Sequence, residues 1–161
     1  MDQTHLHLLI THLPIFGSIL GGIVLAYGLW AKVRQTLIAA YTVLIISSTG
    51  AIIGYITGEA AEETVEHLQG ISENVIKQHE NFAQIALISM LLVGILSLIG
   101  LFLAYRKSLY SNTIGWITLV VSLISFGIIA RTGYLGGQIR HTELSSVTSG
   151  QAIREDDGDD D

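Results

Sequence analysis

Four apolar runs, at about 8–30, 36–58, 80–105 and 113–138, constrain this chain more than any other feature. Each is long enough to cross a hydrocarbon core of about 30 Å as an α-helix rising about 1.5 Å per residue. Half of the 161 residues are hydrophobic and 14% are charged, and the breaks between runs are mostly glycine and small polar residues, which is membrane-protein composition. The expected fold is all-α: an integral membrane four-helix up-down bundle, with residues 1–144 as the transmembrane domain and an extramembrane extension between helices 2 and 3.

The start, MDQTH, lacks a basic n-region, and the first apolar run is too long for a signal-peptide core, so the first helix is expected to remain in the mature protein. The absence of cysteine excludes disulfides, thiolate metal sites, iron–sulfur clusters and CxxCH haem attachment. A net charge of −6, with no basic patch interleaved with aromatics, excludes nucleic acid as a partner.

The connections at 31–36 and 105–113 are short and carry Lys32, Arg34, Arg106 and Lys107 without one acid. They read as hairpin tips. All 14 acidic residues fall on the opposite side, with both termini and the segment between helices 2 and 3. The positive-inside rule then places the tips in the cytoplasm and both termini in the periplasm of a bacterial inner membrane. Trp30 and Trp116 lie near the tip boundary, as aromatic belts do.

The segment 59–79 reads as helix rather than loop. EAAEETVEHLQ extends helix 2, Gly70 offers a stop, and Ser72 is a fair N-cap with Glu73 in the first turn that follows. This hairpin is expected to project into water. The tail at 145–161, ending EDDGDDD, has no apolar periodicity and carries a block of like charge, so it is expected to be disordered.

Small residues at four-residue spacing let helices approach in lipid, where hydrophobicity contributes little to helix association. Gly50, Gly54 and Gly58 form such a stripe on helix 2, and Gly17 and Gly21 another on helix 1. A close-packed seam is the expected use of both. A weak internal repeat accompanies them: a histidine near the start of each hairpin (His12, His79), a basic tip, and a Gly-plus-polar exit at Gly58-Glu59 and Gly137-Gln138.

All six histidines, at 5, 7, 12, 67, 79 and 141, map to the acidic side. His5 and His12 share a helix face but stand about 10 Å apart along it, too far to ligate one ion. Pro14 suits a first helical turn, which starts the lipid-crossing helix near His12 with Phe16, Ile19 and Ile23 below it. His79 sits similarly above Ala83, Ala86 and Met90. Helices 1 and 3 run in the same direction in an up-down bundle, so His12 and His79 are placed to face each other at similar depth. Three readings stand: axial ligands of a haem b, ligands of a divalent metal ion, or interfacial histidines bonded to backbone, headgroups or carboxylates.

A bare-metal site has its own constellation. Glu59, Glu63 and His67 recur every four residues as one column on the helix 2 extension, opposite His79 and Glu80, and carboxylate plus imidazole suits zinc or iron. A solvated acidic face is the alternative use of that column. No Glu-x-x-His supports a ferritin-like di-iron site. Arg131 interrupts an apolar run about two turns before the helix 4 exit, where a charge costs a few kcal/mol and calls for a partner. Glu59, Glu63 or a haem propionate would serve, with snorkelling to the interface as the alternative. Gln138, Arg140 and His141 follow on the same rim.

At these residues the chain resembles a group of small bacterial four-helix membrane proteins within or near a broader domain-of-unknown-function membrane family. The matching pieces are His5-Leu-His7-Leu-Leu…His12-Leu-Pro14, Thr57-Gly58-Glu59-Ala-Ala-Glu62-Glu63, the His79 region, and Ala130-Arg131…Gly136-Gly137-Gln138-Ile139-Arg140-His141, covering about residues 5–142. A His-x-Pro opening and a late Gly-Gly…His ending recur in the broader family, and some of its members look joined to c-type cytochrome domains. The resemblance implies redox work near the outer membrane face. His141 follows its Gly-Gly at a shorter spacing than in that pattern.

No GxSxG, HExxH or phosphate-cradling Gly-rich loop marks a stand-alone enzyme. The expected function is a periplasmic-rim site binding haem b or a metal ion for electron transfer with a periplasmic or membrane redox partner. His12 and His79 would be ligands, and Arg131 and Arg140 would balance anionic groups. The rival is a cofactor-free accessory subunit that docks a periplasmic partner through its acidic rim. A small transporter ranks last, because the helix centres carry almost no polar residues beyond Ser and Thr.

Overall fold

Hydrocarbon-length apolar runs joined by short tips produce four helices, α1 (Gln3–Ala31), α2 (Arg34–Val65), α3 (Glu73–Tyr105) and α4 (Ser111–Asp156). The computed structural model describes the backbone of residues 3–65 and 73–156 and the side chains of 10–58 and 74–138. Each helix carries a stretch long and apolar enough to cross a membrane, at Ile10–Ala31, Arg34–Gly58, Asn74–Tyr105 and Ser111–Gln138. The chain is a multi-pass membrane protein with four candidate spans.

The helices outrun their apolar cores at the histidine-bearing end. α1 begins at Gln3 rather than near 8, while α3 begins at Glu73 and α2 continues to Val65, as the helical reading of 59–79 expects. α4 runs through Asp156, so the backbone expected to be structureless from 145 is helical that far. Apolar length marks where hydrocarbon ends, whereas a helix satisfies its own backbone on either side of that boundary. His67, Gly70 and Ser72 fall at 66–72, outside the described residues. Pro14 is a correction: it lies inside α1, not in its first turn. The missing N–H leaves the ladder one bond short there, and across the seam the Ser47 hydroxyl lies 3.4 Å from the Leu13 carbonyl oxygen and 3.3 Å from that of Pro14.

Neighbouring helices pack α1–α2, α2–α3, α3–α4 and α4–α1, closing an up-down ring that leaves α1 and α3 diagonal. The α1–α2 seam follows the glycines. A Cβ on Gly17 would lie 2.8 Å from the Ser47 Cβ, one on Gly21 2.7 Å from Leu44 Cδ2, and one on Gly50 2.8 Å from Leu13 Cδ2. On the other seams Gly94 receives Ser48, Gly100 receives the Tyr41 ring and Gly22 receives Ser122. Ser48 also donates to the Met90 carbonyl oxygen at 2.8 Å, tying α2 to α3. Small residues thus bring backbones together where lipid tails offer no hydrophobic drive for association. Leu25, Leu44, Tyr41, Met90 and Val93 fill the remaining centre.

The two tips end their helices by the same device. Val33 N–H bonds to the Gly28 carbonyl oxygen and Ser108 N–H to that of Leu103, the long bond of a Schellman motif. Lys32 and Lys107 hold the left-handed position, at φ 55° and 52°. Both positive charges also sit at the negative end of a helix dipole. Trp30, Tyr105, Tyr110 and Trp116 are exposed around these tips, forming a belt at headgroup depth.

Candidate functional site

At the end opposite the tips, α3 and α4 converge on a half-buried imidazole. His79 lies on the inward face of α3, above buried Ala86 and Met90. Its Nδ1 stands 3.1 Å from the Thr132 carbonyl oxygen of α4. A carbonyl oxygen only accepts, so this bond requires hydrogen on Nδ1, and in the neutral ring the lone pair is left on Nε2.

Gly136 explains why α4 offers that carbonyl. On a helix the side chain at i+4 tilts back over the turn that holds residue i, so a side chain at 136 would cover the Thr132 oxygen. A Cβ there would lie 3.2 Å from His79 Cε1. Glycine uncovers a backbone acceptor and gives the ring its place. The same turn of α4 also receives α1, since the Ile15 Cδ1 stands 3.5 Å from the Cβ position of Gly133.

His12 has different surroundings. It is exposed on α1, and its ring lies 6.1 Å from that of Phe16 at an interplanar angle of 14°. Phe16 and Ile23 below it are themselves exposed. The shared stripe of His12 and Phe16 is therefore an outward one, whereas the His79 stripe points into the bundle. Similar depth follows from the common turn of α4, but the two rings occupy opposite kinds of surface.

Arg131 is also exposed. Its guanidinium carbon lies 5.9 Å from the centre of the Phe82 ring on α3 and 5.4 Å from that of Tyr134. These contacts are cation–π packing on the outer face of the α3–α4 seam; the side chains of Glu59 and Glu63, the carboxylates expected as partners, lie outside the described residues. Gln138 continues that face, its side-chain nitrogen donating to the Tyr134 hydroxyl at 3.2 Å.

Glu80 is exposed beside His79. Among the described residues no group of three or more His, Asp or Glu is placed to hold a metal ion. The backbone around Glu59 and Glu63 is helical, as is that around Arg140 and His141, which preserves their sequence register. Their side chains, and all of His67, lie outside the described residues.

The residues missed from sequence are Thr132, which contributes a main-chain oxygen, and Phe82 and Tyr134, which seat the guanidinium. A signal was present: Thr132 and Gly136 are four apart, as a carbonyl and the position that uncovers it must be, and Phe82 lies one turn from His79. No protein-family model, curated protein or solved structure matches the chain, so no family is identified by these comparisons.

Proposed function

We propose that the protein works in the bacterial inner membrane as an electron-transfer subunit, holding a haem b or a divalent metal ion at its periplasmic rim with His79 as a ligand. One observation carries this reading, the bond between His79 Nδ1 and the Thr132 carbonyl oxygen. Histidines that ligate metals donate their other ring nitrogen to a backbone carbonyl or carboxylate, which fixes the tautomer and presents the remaining lone pair. The donor chemistry at His79 fits that role.

A haem needs only one or two axial imidazoles from the protein, so a single well-oriented histidine supports it more readily than a bare ion. His141 is the candidate for a second axial position, since His12 stands on the outward stripe of α1. For a bare ion, Glu59, Glu63 and His67 with Glu80 are the candidate donors. A haem or an iron ion would supply a one-electron redox couple, which zinc would not. The residues of the chain would position His79, limit water on the α3–α4 side and, through Arg140, balance negative charge. The acidic rim would face a periplasmic redox partner.

The test is a pair of visible spectra, oxidised and dithionite-reduced, on gently solubilised protein expressed with ample haem, together with metal analysis. A reduced α-band or a stoichiometric metal that is lost in His79→Ala, with helical content retained, is expected. A colourless, metal-poor protein under those conditions overturns the reading. It would leave the accessory subunit, whose association with a periplasmic partner should weaken with salt.

A further inference from the structure

We propose that Arg131, Tyr134 and Gln138 form a binding site for the phosphate of an anionic phospholipid, on the outer face of the α3–α4 seam. This site is separate from His79 and does not depend on any cofactor there. Arg131 lies within the span Ser111–Gln138 and is exposed on its surface. Its packing is aromatic, with Phe82 and Tyr134 beneath the guanidinium. Cation–π packing engages the face of the guanidinium and leaves the N–H donors around its edge to bind an acceptor. In a membrane the acceptor that binds a guanidinium most strongly is an anionic phosphate at headgroup depth.

The geometry aims the cation at that depth. Side chains on α4 tilt back toward the helix N-terminus, which here is toward the membrane centre. Arg131 nevertheless packs on Tyr134, one turn nearer the rim, so its guanidinium is drawn outward to the interface. There the Tyr134 hydroxyl accepts from Gln138, leaving its own hydrogen to donate. Guanidinium and phenol thus offer donors to one phosphate, which arginine meets with a fork of parallel bonds. Deeper along the same two helices Ile85, Ile88 and Ile124 are exposed, a surface for acyl chains beneath a bound headgroup. An aqueous partner protein would not seat on such a face.

The probe is phosphatidylglycerol added to the detergent-solubilised full chain, with bound lipid counted by native mass spectrometry. Arg131→Gln is expected to weaken retention by about tenfold, the worth of about 1.4 kcal/mol, while Arg131→Lys weakens it less. Arg106→Gln is the comparison: Arg106 packs over Phe102 at 5.9 Å, and its loss is expected to weaken retention less than the loss of Arg131, which has two rings beneath it and the Tyr134 hydroxyl beside it. Equal retention in wild type and Arg131→Gln overturns the proposal.

A second measurement needs no substitution. The side-chain 15N resonance of Arg131 should shift on adding phosphatidylglycerol and stay unmoved by inorganic phosphate at the same concentration. A shift with inorganic phosphate alone, or none with the lipid, overturns the assignment to a lipid headgroup.

Discussion

The two hairpins share a plan and differ at one end. At their tips α1–α2 and α3–α4 are alike, each closed by a Schellman bond with a lysine in the left-handed position. At the rim they part. The first hairpin is zipped with glycine against Ser47, Leu44 and Leu13 as far as Gly54, where Thr11 fills the gap. The second sets His79 on a bare α4 carbonyl and seats Arg131 on aromatic rings. Each hairpin opens with a histidine, but His12 stands on the exposed surface of the zipped one and His79 lies in the seam of the polar one. A repeated sequence feature does not fix a repeated environment. What separates the two is the surface that the neighbouring helix presents.

The sharpest way to break the comparison is to wedge the zipped seam. Gly17→Leu forces a side chain into Ser47 and disturbs its contacts with the α1 carbonyl oxygens, and is expected to cost about 2–3 kcal/mol. Gly137 has nothing within 4 Å of its Cβ position, so Gly137→Ala should instead gain about 0.5 kcal/mol of helix propensity. Reversible unfolding in mixed detergent reads both. Equal losses at the two sites would mean that the seams are equally packed.

The histidines come next. His79→Ala removes a hydrogen bond between helices and should cost about 1 kcal/mol, with hydrogen exchange accelerated on α4 around 132–136. His12→Ala should leave that exchange unchanged. A matching acceleration in both variants would put the two rings in one site after all. The smallest effect sharpens the likeness at the tips: Lys32→Gly and Lys107→Gly each relieve a left-handed non-glycine residue. Offset by the lost dipole interaction, each gain should be about 0.5 kcal/mol. A gain at only one tip would separate the two turns.

Much of this architecture was legible residue by residue. The glycine stripes of α1 and α2 predicted their seam because four-residue spacing is a property of the helix itself. The basic tips and tryptophan belt were legible because interfaces sort residues by chemistry. Pro14 lies inside α1 because the helix begins at Gln3, whereas the apolar run marks only where hydrocarbon begins. For Arg131 a carboxylate, a propionate or the interface all stay open from sequence, because the sequence does not show which face of α4 carries it. The Thr132 acceptor stayed hidden for a different reason: a main-chain oxygen carries no residue identity.

The sequence by itself determined four spans, their alternating direction and the crowding of histidine and acid at one end, because hydrocarbon thickness and interfacial charge act on composition and length alone. Only the tertiary structure decided that His79 turns inward and His12 outward, and that Arg131 lies on Phe82 and Tyr134. Those choices depend on the rotation of each helix about its own axis, which is set by the small residues that neighbouring helices bring into contact.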